Sequence, residues 1–145
     1  MAVMEHYRTV RVLLGRLDHG ADLLEEITGI CRRENIRMGA VEAIGAVSRA
    51  RLGFYNQDTR EYEYFTLDEA LEILSLAGNI SMKDGEPMVH AHVVLADKNG
   101  KASGGHLAPG TTVFACECRI EVLEGRVLER KPDEKTGLPL WKMQP

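Results

Sequence analysis

The stretch PMVHAHVVLADKNGKASGGH, residues 87–106, decides how this chain is read. Its first half alternates as a strand does. His90, His92 and Val94 share one face, and Val89, Ala91, Val93 and Leu95 share the other. Asp97-Lys98-Asn99-Gly100 follows. Asp suits the opening position of a type I turn, and Gly100 suits the left-handed position after it. A three-residue loop with a glycine bulge pairs Asp97 with Lys101 and sets His92 opposite His106. Opposed residues share a face with Cβ atoms about 5 Å apart, so three imidazoles converge, His90 lying diagonal to His106. A two-residue type I′ turn at Asn99-Gly100 would instead slip the register by one residue and turn His106 to the other side. The Asp and Lys ahead of Asn-Gly favour the longer loop.

The rest of the chain supplies the sheet around this hairpin. Tyr7 to Leu17 alternates as a strand, and Asp18-His19-Gly20 is a turn, where His19 reads more simply as a turn residue than as a ligand. Ala21 to Asn35 is the clearest helix, with Leu23, Ile27, Ile30 and Cys31 on one stripe. Acidic residues stand near its start and Arg32 and Arg33 near its end, the order its dipole favours. Cys31 on the apolar stripe reads as core. Residues 36–55 are β-like and punctuated by Gly39, Gly45 and Gly53. Asn56 to Thr59 turns into a second alternating strand, Glu61 to Thr66. Thr66 to Glu69 has capping-box spacing, which argues for a short helix, whereas EILSLAGNIS argues for a buried strand. A turn at 68–70 and a strand from about Leu71 to Ile80 is the reading adopted. Thr112 to Leu123 alternates, with Phe114, Cys116, Cys118, Ile120 and Val122 facing in. The tail, residues 126–145, is expected to be irregular, docked by Trp141.

One helix among about seven strands predicts an α+β fold with a mostly antiparallel sheet in a single domain, its core at about residues 5–125. The 145 residues are 44% hydrophobic and 28% charged, ordinary for a globular chain large enough to bury a core. No apolar run approaches the roughly 18 residues a membrane span needs. The N-terminal residues lack a signal-peptide pattern, and three cysteines without CxxC spacing outline no disulfide framework. A cytoplasmic location is the expectation. The net charge of −4 gives no electrostatic footprint for nucleic acid.

LGRLDHGADLLEEI, IGAVSRARLGFY, LEILSLAGNIS, HAHVVLADKNGKASGGHL and CRIEVL together resemble the PPC (plants and prokaryotes conserved) domain, in order and over roughly residues 5–125. The resemblance implies a compact α+β domain that assembles as a homotrimer through its sheets. In plants the domain follows AT-hooks in nuclear DNA-binding proteins, where it mainly mediates protein–protein contacts. Stand-alone prokaryotic members often bear a provisional DNA-binding label, and some look like metal carriers. The His-x-His of His90 and His92 and the Gly-Gly-His ending at His106 match the prokaryotic type. No Arg-Gly-Arg-Pro occurs here, so DNA as a partner rests on the family label alone. Strands with apolar residues on both faces agree with self-association.

Three imidazoles on one face suit a divalent metal, zinc first, at His90, His92 and His106. Such a set leaves a fourth tetrahedral position for water. A metal-binding regulatory or binding module, with DNA contact implied by the family label alone, is therefore the leading expectation, and a zinc-dependent hydrolase-like enzyme is the alternative. An enzyme needs an acid/base group in reach, and Glu117, Glu72 and Asp97 are the candidates by parity or position.

Overall fold

Alternating apolar residues and short glycine turns leave the chain few options but hairpins, and one amphipathic helix is available to cover what they expose. A computed structural model describes residues 2–143. The elements are β1 (Arg8–Leu17), α1 (Leu23–Arg33), β2 (Gly39–Asn56), β3 (Glu61–Leu67), β4 (Leu71–Lys83), β5 (Glu86–Ala96), β6 (Ala102–Leu107), β7 (Thr112–Glu124), β8 (Arg130–Pro132) and β9 (Pro139–Trp141). Strands β1 to β7 form one sheet in the order β1-β7-β2-β4-β5-β6, with β3 added to β2. All of its strand pairings are antiparallel. Among the described residues no helix is long and apolar enough to cross a membrane.

The long strand β2 organises the sheet. Its first half lies between β7 and β4, and its second half between β3 and β6. Since β4 pairs β5 and β5 pairs β6, strands β2, β4, β5 and β6 close a circle of pairings. One side of this curled sheet buries Val41, Val47, Leu52, Leu76, Ile80, Val93 and Leu95 against Leu23, Ile27 and Cys31 of α1. Each such aliphatic side chain contributes about 1.5–3 kcal/mol when fully buried. Asp22 starts the helix: its Oδ1 accepts from the backbone N–H groups of Leu24 and Glu25, both at 3.1 Å. A cap of this kind stabilises by about 1 kcal/mol.

The turn at 68–70 and the strand from Leu71 are as expected, and two other expectations change. The capping-box spacing at Thr66 to Glu69 nucleates no helix; β3 ends at Leu67 and β4 begins at Leu71. The apolar alternation of the following residues is satisfied by pairing with both β2 and β5. Phe114 does not face in. The register on β2 shifts between Ala46 and Val47, opposite Ala115 and Val113. That extra residue reverses the parity at this end of β7, so Val113 is buried and Phe114 is exposed. Finally, the tail is not irregular throughout. β8 and β9 pair as a short hairpin, Leu128 is buried, and Trp141 Nε1 donates to Ser81 Oγ at 3.0 Å. Trp141 thus does dock the tail, onto β4.

Candidate metal centre

The geometry begins with the loop. Gly100 N–H donates to Asp97 O at 2.9 Å, and Asp97 N–H donates to Lys101 O at 3.1 Å. Asp97 Oδ1 accepts from the backbone N–H groups of Asn99 (2.8 Å) and Lys101 (3.0 Å), and Gly100 has φ of 77°. This is the three-residue loop with a glycine in the left-handed region. The ladder it dictates opposes Ala96 to Ala102 and His92 to His106. Loop chemistry therefore sends all three imidazoles to the face of β5 and β6 that points away from α1.

The ring centroids stand 5.0 Å apart for His90–His92, 5.1 Å for His90–His106 and 5.6 Å for His92–His106. One nitrogen from each ring lies within 4.8 Å of the others, and no carboxylate or thiol belongs to the group among the described residues. Neighbouring strands hold the rings in place. Tyr62 of β3 packs on His106 with centroids 4.7 Å apart. Asn79 of β4 opposes His90, and Ala77 opposes His92. Gly78 lets β4 pass close beneath them, since a Cβ there would lie 2.5 Å from His90 O.

The electrostatics favour neutral rings. Burial, then Arg130, then His106 and His92 push the His90 imidazole down to about 4. Burial, then His92, lowers His106 as well. Neutral imidazoles keep a lone pair free for a ligand bond at physiological pH. The Nδ1 of His106 is buried without a hydrogen-bond partner among the described residues. Leaving such an atom unsatisfied costs about 1–3 kcal/mol. Three imidazole nitrogens, one residue with an unpartnered ring atom and no competing thiolate among the described residues fit a divalent metal of borderline softness.

The three carboxylates singled out from the sequence do not join the group. Asp97 is committed to the loop. Glu72 opposes Ala96, four residues beyond His92 and so about 13 Å along the strand. Glu117 lies on β7, three strands from β5 and so about 14 Å across the sheet. His19 sits elsewhere, its Nδ1 2.8 Å from Phe114 O. Sequence reasoning missed Asn79, Tyr62 and Arg130. Asn79 was visible only through the β4–β5 register. Arg130 reaches the site from the C-terminal hairpin, donating through Nη2 to Asn79 Oδ1 at 2.7 Å.

Known proteins share this fold. The chain superimposes on a metal-containing protein from Archaeoglobus fulgidus with a TM-score of 0.93 and 42% identity, over 98% of this chain and 100% of the other. A plant- and prokaryote-conserved protein from Pyrococcus horikoshii gives a TM-score of 0.93 and 36% identity, over 99% of each chain. A Ralstonia eutropha protein provisionally designated as DNA-binding gives 0.79 and 28%, over 90% of each. In sequence, the bifunctional protein GlmU of a Synechococcus strain is 36% identical over 134 residues, which are 89% of this chain and 20% of that protein. The chain thus spans about a fifth of the curated relatives it matches. Residues 4–124 match the Plants and Prokaryotes Conserved (PCC) domain, and the chain belongs to that family.

Proposed function

We propose that this domain binds one divalent metal, zinc by preference, through His90, His92 and His106, and that it works as a metal-bearing homotrimeric binding module. The observation behind the metal is the convergence of three nitrogens within 4.8 Å, two of them on rings, His90 and His106, that burial keeps neutral. When bound, the metal supplies a Lewis-acidic position. The chain's own residues do the rest: Tyr62 packs on His106, and Asn79 holds Arg130, whose charge helps keep a proton off His90. Among the described residues no carboxylate joins the group, which favours a binding role over a hydrolase.

Self-association is supported by the outer face of the sheet. Leu14, Ile44 and Leu74 there are 78%, 56% and 53% exposed, and Leu14 and Ile44 border a cavity of about 720 Å³. The expected mass by light scattering is three times the 16.1 kDa of one chain, and a monomer at micromolar concentration overturns the trimer. Metal content decides the centre. The purified wild type should hold one ion per chain, and His90→Ala/His92→Ala should hold essentially none. Equal content in the two removes the site. DNA contact remains a family label set against a charge of −4. A phosphate-driven interaction would weaken steeply with added salt, and a mobility shift that ignores salt would contradict it.

A further inference from the structure

Arg130 is 6% exposed, yet no carboxylate pairs with it among the described residues. Buried guanidinium groups normally have an anionic partner, because taking the charge out of water costs several kcal/mol. Here only neutral oxygens hold it. Nε donates to Ser81 Oγ (3.0 Å), Nη1 to Pro139 O (3.1 Å) and Nη2 to Asn79 Oδ1 (2.7 Å). A guanidinium has five N–H donors, so one on each Nη is still unassigned and open to an oxyanion.

The location gives this a meaning. Asn79 stands directly opposite His90 on the same face, so the Nη2 end of Arg130 is one side chain from the histidine group. The Trp141 ring packs 5.3 Å from the guanidinium carbon. A divalent ion on three neutral imidazoles would put a second, uncompensated positive charge beside the first. The Glu42 carboxylate lies in the same cross-strand row, Glu42–Ala77–His92, two strands and so about 10 Å from His92. It is turned to Arg119 Nη1 at 3.4 Å. Metal and guanidinium together call for negative charge that the described residues do not supply.

We propose that the centre takes a small carboxylate ligand whose carboxylate bridges Arg130 and the metal's remaining position. This rests on the metal reading above for the second contact but not for the first. The planar, five-donor fork of Arg can hold its protein partners and a carboxylate together, which is why a lysine would be a poor replacement.

The test uses the full chain, both metal-free and loaded with Co(II). The probe is acetate, with acetamide as its neutral isostere and inorganic phosphate as a tetrahedral oxyanion. Trp141 is the only tryptophan, so its emission reports on Arg130 directly, and the visible band of cobalt reports on the metal. Acetate should change both signals saturably, and acetamide neither. Arg130→Lys and Arg130→Gln should raise the acetate midpoint at least tenfold in the Trp141 signal of the metal-free protein, whatever their cobalt content. Equal responses to acetate and acetamide, or unchanged midpoints in the variants, overturn the anion site. Phosphate binding more tightly than acetate overturns the carboxylate assignment. If the variants do not fold, the acetate–acetamide contrast in the wild type decides the matter. A chain that takes up no cobalt sinks the metal reading alone, and the Trp141 signal of the metal-free protein still tests Arg130.

Discussion

The β5–β6 hairpin and the β8–β9 hairpin reach the same face of the sheet by different routes. The first is specified locally. Asp97 folds its own loop with two side-chain hydrogen bonds, Gly100 accepts the left-handed backbone, and the register of three histidines follows. The second also closes its own loop, with Asp133 Oδ2 accepting from Thr136 N–H and Oγ1 and Gly137 at φ of 77°. Its strands have only three residues each, however, and its place on the sheet depends on what it lands on: Ser81 and Asn79 for Arg130, Ser81 for Trp141, and Met38 and Met82 for the segment before it. A locally encoded hairpin can be read from a few residues. One encoded by its docking surface can be read only when that surface is known.

This contrast can be broken by mutation. The largest effect is expected at Leu128, buried at the root of the second hairpin. Leu128→Ala should cost about 2–4 kcal/mol in urea unfolding while leaving metal content unchanged. Loss of the metal together with stability would show that the C-terminal segment builds the centre rather than covering it. Asp97→Ala removes two hydrogen bonds from the loop and should cost about 1–2 kcal/mol. It should also lower metal affinity, because the three-residue loop loses its anchor. Unchanged affinity would mean that the strands hold the register without the loop. Gly100→Ala, at φ of 77°, should cost about 1 kcal/mol by the same assay, and a neutral result would show that the backbone there relaxes.

The remaining lever is pH. His90 is held near 4, against about 6.5 in an unfolded chain. The folded, metal-free protein therefore binds its proton later than the unfolded one. Stability should be full above about pH 6.5 and decline as pH falls towards 4. Thermal melts across that range should show a shallower decline in His90→Ala, and parallel slopes would contradict the assignment.

What was legible in the sequence divides along the same line. Strand parity, the helix stripe of Leu23, Ile27 and Cys31, and the register through Asp97 and Gly100 depend on residues close in the chain, and each is visible there. The exposed Phe114 depends on a bulge against β2, which period-two alternation does not anticipate. The false capping box at Thr66 lost to pairing with strands on both sides, where long-range burial outweighs a local preference of about 1 kcal/mol. Arg130 lies 38 residues or more beyond the His-x-His, and nothing in its neighbourhood of charged residues and prolines marks it as a buried cation.

The circle of pairings through β2, β4, β5 and β6 bears on motion. Ala91 and Val93 sit in a strand flanked on both sides, so their amide protons have no rim from which to unzip, whereas β1 and β3 are each held on one side only. Solvent deuterium should enter β1 and β3 early and β5 only when the whole domain opens. The three rings would then ride on the slowest-breathing part of the molecule, and ligand exchange there would proceed by side-chain movement, without unravelling of the backbone beneath.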